Sequence, residues 1–139
     1  MPEQSLRFRG LIPTMTSRIL IVDDEKSVLF VLRSILERAE NGYEVATASS
    51  GTEALERNGS NSFDLIITDM LMPEMDGVTL TEKLRSSAPK AAIVWMTAHG
   101  CEQFVADGDR LGVYRCVDKP LEIHQLRQLA REALESIES

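Results

Sequence analysis

Ile19-Leu20-Ile21-Val22-Asp23-Asp24-Glu25 sets four consecutive apolar residues, three of them β-branched, directly against three acids. A run this short and this apolar reads as a strand buried on both faces, as in a parallel sheet, and the acids mark its carboxyl end. Working outward, further short apolar runs lie near Tyr43 to Thr47, Phe63 to Thr68, Ala91 to Met96 and Val113 to Val117. Segments of helical spacing fill the intervals, from Glu25 to Glu40, Thr52 to Asn58, Gly77 to Ser86, Cys101 to Arg110 and Leu121 to Ile137. Turn residues agree with these bounds: Asn41-Gly42 precedes the second strand, Asp76-Gly77 opens the third helix, and Pro89 stands ahead of the fourth strand.

Strands alternating with helices imply βαβ units and a parallel sheet covered on both faces. The expected fold is α/β: a flavodoxin-like (βα)5 doubly wound sheet of strand order 2-1-3-4-5 in a three-layer α/β/α arrangement. In the first helix, Val28, Leu29, Val31, Leu32, Ile35, Leu36 and Ala39 fall within an arc of roughly 160° and form the expected buried face. Phe30 projects from the opposite face among Lys26, Arg33 and Glu37, and is a candidate docking contact.

The chain has 139 residues, 43% hydrophobic and 27% charged, with a net charge of -7. That length suits one domain, and the negative surface disfavours direct nucleic-acid binding. The longest apolar run, Ala91 to Met96, falls far short of the roughly 20 residues of a membrane span. The N-terminus carries Arg7 and Arg9 without an apolar stretch after them, so it reads as no secretory signal and the expected address is cytoplasmic. Residues 1–17 read as a tail and 18–139 as the domain, whose five βα units leave no room for an output domain. Cys101 and Cys116 lie in no CxxC pair, and both are expected to be reduced thiols.

In an open parallel sheet, ligands bind beyond the carboxyl ends of the strands. There stand Asp23, Asp24 and Glu25 after strand one, Asp69 after strand three, Thr97 and Ala98 after strand four, and Lys119 and Pro120 after strand five. With strands one and three adjacent, Asp23, Asp24 and Asp69 converge and repel one another unless a cation offsets them. Oxygen-only ligands with room for water suit Mg2+. Beside such an ion a carboxylate can act as nucleophile toward a phosphoryl group, with Lys119 and Thr97 holding its oxygens. No GxxxxGK[ST] or GxGxxG follows the first strand. A phosphatase of the dehalogenase type needs an acid two residues after its nucleophilic aspartate, where this chain has Leu71. Singly, each residue has a plainer role, Asp24 as helix cap, Asp69 as turn residue, Lys119 as solvated charge; jointly the set points to phosphoryl chemistry.

Ile19-Leu20-Ile21-Val22-Asp23-Asp24-Glu25, then Asp64-Leu65-Ile66-Ile67-Thr68-Asp69-Met70-Leu71-Met72-Pro73-Glu74-Met75-Asp76-Gly77, then Met96-Thr97-Ala98, then Val117-Asp118-Lys119-Pro120 resemble the receiver domain of two-component response regulators. The resemblance spans about residues 18–138. It implies that Asp69 accepts a phosphoryl group from a phosphohistidine on a sensor histidine kinase or histidine phosphotransfer protein. It further implies that Asp24, Asp69 and the backbone carbonyl of Leu71 ligate Mg2+, with Asp23 acting largely through water. Lys119 would bind the phosphoryl group, and Thr97 would swing toward it and shift the surface of the fourth helix, fifth strand and fifth helix. A receiver promotes its own phosphorylation without being a turnover enzyme. It signals to a downstream effector or a missing output domain, and the same surface could pair two copies in a homodimer. The Lys119-Pro120 bond resembles one usually cis in the family. A pseudo-receiver, a protein-interaction module that is not phosphorylated, is the alternative.

The chain departs from the family where a Tyr or Phe usually stands three residues before the lysine: it has Cys116. Strand alternation predicts that Tyr114 projects to the same side as Cys116, which makes both candidates for the switch. Leu71 and His99, each two residues past a site residue, are placed to control the access of hydrolytic water, and apolar Leu71 is expected to slow loss of the phosphoryl group.

Overall fold

The computed structural model describes residues 16–40 and 42–138. All but two residues of the expected tail, 1–17, lie outside these, as does Asn41 of the expected turn. The strands are β1 (Arg18–Val22), β2 (Glu44–Ala48), β3 (Leu65–Asp69), β4 (Ala92–Thr97) and β5 (Arg115–Asp118). The helices are α1 (Lys26–Glu37), α2 (Gly51–Ser60), α3 (Gly77–Ser87), α4 (Val105–Leu111) and α5 (Ile123–Glu138), with a 3-10 turn at Glu102–Phe104 leading into α4.

The strands form one parallel sheet in the order β2-β1-β3-β4-β5. Every residue of β3 and β4 is buried, which accounts for the unbroken apolar runs 65–67 and 92–96 ahead of their polar carboxyl ends. One face of the sheet, through Ile19, Ile21, Ile67, Val94 and Met96, packs against Leu29, Leu32 and Leu36 of α1 and Leu126, Ala130 and Ala133 of α5. The other face, through Leu20, Val22, Ile66, Ile93 and Trp95, packs against Ala54 of α2 and Leu80 and Leu84 of α3. Within this second layer the Trp95 indole donates a buried hydrogen bond to Thr81 Oγ1 (2.8 Å). Burying the ring without that partner would leave a costly unsatisfied donor.

Several boundaries differ from the sequence expectation. Helix α1 stops at Glu37 rather than Glu40; the Gly42 N–H bonds to the Ala39 carbonyl (2.9 Å), and Gly42 turns the chain at φ 62°. The fourth helix starts only after the 3-10 turn and is seven residues long. It passes through Gly108 without a break and closes at Gly112, whose φ of 66° suits a residue without Cβ. Val31, expected on the buried face of α1, is 52% exposed. It sits beyond the stripe of Leu29, Leu32 and Leu36 that meets the sheet and lines a cleft with Pro120 and Leu121, ahead of α5, instead. Tyr114 lies ahead of β5 rather than in it, so strand alternation does not apply to it. It packs with the α1 and α5 layer, whereas Cys116 packs with the α2 and α3 layer, and the two do not share a side.

Candidate functional site

Because β1 and β3 are central neighbours, their carboxyl ends bring Asp23, Asp24 and Asp69 together, with one oxygen from each within 4.8 Å of the others. Asp24 does not cap α1: the cap position is Glu25, and the Asp24 carboxylate is exposed beside two buried ones. Asp23 is fully buried, with Oδ1 accepting from the Glu25 N–H (2.9 Å) and Oδ2 from Lys119 Nζ (2.7 Å). Asp69 ends β3, where its Oδ1 accepts from the Met70 N–H (2.9 Å) and its Oδ2 lies 3.4 Å from Lys119 Nζ.

Lys119 reaches this group from the far end of β5. The Lys119 N–H bonds to the Thr97 carbonyl (2.9 Å), and its peptide bond to Pro120 is cis, as the resemblance implied. Thr97 is buried at the end of β4, where its Oγ1 accepts from the His99 N–H (3.0 Å). Burial, and then repulsion from Asp23, push the Asp69 carboxyl above its ordinary range, against the opposing pull of Lys119. For Lys119, burial alone would lower the pKa, but the hydrogen bond and charge of Asp23 and the charge of Asp69 outweigh it and raise it. Three carboxylates facing one ammonium leave a surplus of negative charge, and their all-oxygen donor set fits a small hard divalent cation.

Gly77 was legible in the sequence only as a turn residue, yet it determines how closely α3 approaches the site. A Cβ there would meet the Asp69 carbonyl oxygen at 2.8 Å and Met70 Cα at 2.9 Å, and the Gly77 N–H bonds to the Met70 carbonyl (2.9 Å). Asp76 caps α3 by accepting from the Thr79 N–H (2.8 Å), which fixes the helix start against the end of β3.

Around the carboxylates, Leu71 is 51% exposed, and an apolar cleft of about 450 Å3 opens between α1 and the loop that joins β5 to α5. Glu25, Val28, Val31, Ala98, Lys119 and Pro120 line it. Phe30 is 72% exposed but turns away from this cleft, toward Thr47 and Glu53 beside α2. Tyr114 and Cys116 are not drawn into the site.

The two cysteines correct a sequence expectation. Cys101 and Cys116 are not separate thiols but a disulfide, with Cα atoms 5.9 Å apart. Fifteen residues separate them in sequence, but the chain leaves β4, forms α4 and returns along β5, which sets the start of the 3-10 turn beside the middle of the strand.

The strand order, the acidic group and the opposing lysine can be set against known proteins. The sequence profile described as "Response regulator receiver domain" matches residues 19–131. The chain belongs to the response regulator receiver domain family. Chemotaxis protein CheY of Bacillus subtilis is 33% identical over 121 residues, covering 86% of this chain and 99% of its own. The alkaline phosphatase synthesis transcriptional regulatory protein PhoP of the same organism is 38% identical over 106 residues, 76% of this chain but 43% of PhoP. Among solved structures, a CheY-like receiver domain protein from Methanospirillum hungatei superposes with a TM-score of 0.83 at 29% identity, over 89% of this chain and 98% of that one. The receiver therefore has the CheY-like fold and the acidic pocket of a signalling module. Among the described residues, no helix is long and apolar enough to cross a membrane.

Proposed function

We propose that this receiver domain, spanning residues 18–139 after a tail of 1–17, takes a phosphoryl group onto Asp69 from a phosphohistidine of a sensor histidine kinase or histidine phosphotransfer protein. The observation that carries this reading is the convergence of Asp23, Asp24 and Asp69 on Lys119. An Asp69 carboxylate oxygen attacks phosphorus, the P–N bond breaks, and the donor imidazole leaves with the bonding pair. Asp24, Asp69 and the Leu71 carbonyl would hold Mg2+, with Asp23 acting largely through water. Bound Mg2+ supplies charge that offsets the carboxylates and the transferring phosphoryl oxygens.

Lys119, already between Asp23 and Asp69, turns to the phosphoryl oxygens, and Thr97 exchanges its bond from the His99 N–H for one to the aspartyl phosphate. Leu71 stands over the phosphoryl group and excludes water. Val31 and Val28 in the cleft receive the donor's apolar surface, and Phe30, exposed on the α2 side of α1, is a separate docking contact. The response leaves through the α4, β5 and α5 surface, in which Cys116 takes part and Tyr114 backs α5, to a downstream effector or to a second copy. The setting is cytoplasmic, and the domain is not a turnover enzyme.

Incubation with acetyl phosphate and Mg2+, followed by intact mass, tests the reading. Wild type gains one phosphoryl mass and Asp69→Asn gains none. No gain in either chain would leave a pseudo-receiver, and continuous release of phosphate would indicate a phosphatase.

A further inference from the structure

The fourth helix is held unlike the others. Among the described residues of the 3-10 turn and α4, none is buried. Phe104 meets the edge of Trp95 at 6.0 Å between ring centroids, and Leu111 is half-buried against the same layer. Elements with so few buried apolar contacts open at low free-energy cost. The far end of α4 is held by Arg85, which donates to the Leu111 and Gly112 carbonyls (both 2.8 Å), and what ties its start to the sheet is covalent: Cys101 opens the turn, and its sulfur is bonded to that of Cys116 on the edge strand β5. Both cysteines are half-buried, so a small disulfide or thiol can reach them. Cys101 lies four residues past Thr97, in the same loop whose His99 N–H holds Thr97 Oγ1. The bond thus spans the segment that must shift if Thr97 is to leave that position.

We propose that Cys101 and Cys116 form a reversible thiol–disulfide site, oxidised by disulfides of the glutathione class, whose state decides whether α4 is pinned to β5 or free to move. One cysteine thiolate attacks a sulfur of glutathione disulfide and expels a glutathione thiolate. The other attacks the mixed disulfide and expels the second. The protein gives up two electrons and two protons, and two glutathione thiols result. In a compartment holding reduced glutathione, a half-exposed disulfide is a transient, signal-bearing bond rather than a permanent staple. The consequence for signalling rests on the receiver reading above: oxidation uncouples the aspartyl phosphate from the α4 surface, while the acceptor group itself is untouched.

The full chain is equilibrated in buffers of varied reduced to oxidised glutathione ratio, thiols are trapped with N-ethylmaleimide, and intact mass is read. The oxidised chain is expected to take up no label, and the reduced chain to gain the mass of one maleimide at each cysteine. Amide exchange over residues 98–111 is expected to accelerate about tenfold on reduction. Cys101→Ser and Cys116→Ser, made separately, should each exchange like the reduced chain whatever the buffer. Beryllofluoride with Mg2+ should then alter exchange on α4 in the reduced chain and leave it unaltered in the oxidised one. Failure of the disulfide to form, or equal exchange over 98–111 in the two states, would overturn the proposal. The thiol and exchange measurements need no phosphoryl donor, so a reduced chain that fails to label with acetyl phosphate would overturn the phosphoacceptor reading alone.

Discussion

Lys119 is bound more closely to Asp23 than to Asp69: Nζ lies 2.7 Å from Asp23 Oδ2 and 3.4 Å from Asp69 Oδ2. The lysine is thus held chiefly by the fully buried acid, with Asp69 the longer contact. Removing it strands Asp23. Lys119→Met should lower stability by about 3 kcal/mol in metal-free buffer, since a buried charge is left unpaired. The sign with pH follows from the raised lysine pKa. Its stabilising contribution is fully present below the ordinary lysine value of 10.5 and is lost as pH rises through the higher folded-state value. Urea titrations of both chains at pH 7 and in strong alkali check this: a gap at pH 7 that narrows in alkali is expected.

The raised Asp69 pKa gives a second pH dependence. Folding disfavours its ionised form, so wild type carries a penalty at neutral pH that Asp69→Asn lacks. The variant should melt above wild type at pH 7 without metal. As pH falls through the raised folded value and below the ordinary 3.8, both states of wild type become protonated and this advantage disappears. Thermal melts of the two proteins between pH 7 and pH 3 measure it.

At Gly77 the backbone leaves no space. Gly77→Ala drives a methyl against the Asp69 carbonyl and Met70 Cα, so α3 must move or the end of β3 must. A loss of about 1–3 kcal/mol in chemical denaturation is expected, with slower phosphoryl uptake at Asp69.

Phe30 and Val31 separate docking from stability. Both are exposed on α1, so alanine at either should change stability by no more than about 0.5 kcal/mol. Labelling by acetyl phosphate should be unchanged, while transfer from a phosphohistidine protein slows, most for Val31→Ala because Val31 lines the cleft beside Lys119. Initial rates with the two donors make the comparison.

Much of this architecture was legible in the sequence because it depends on local pattern. Four apolar residues ending in acids define β1, and the same logic locates Asp69, Thr97 and Lys119 at strand ends. What escaped depends on the third dimension. Val31 lies on the apolar arc of α1 and is still exposed, because helical periodicity defines a face and not the width of the sheet beneath it. Tyr114 and Cys116 face opposite layers because the strand alternation starts only at Arg115. The Cys101–Cys116 bond has no spacing signature, since its closeness comes from the return of the chain through α4. Gly77 carries a tertiary constraint in a residue that also suits a turn.

The identity of the acceptor is the central claim, and borohydride trapping addresses it most directly. Wild type is labelled with acetyl phosphate and Mg2+, reduced with borohydride, digested and sequenced by mass spectrometry. An acyl phosphate on Asp69 is converted to homoserine, so homoserine at position 69, with Asp23 and Asp24 intact, is the predicted result. Homoserine at position 23 or 24, or an unreduced Asp69 in protein that has gained a phosphoryl mass, would contradict it.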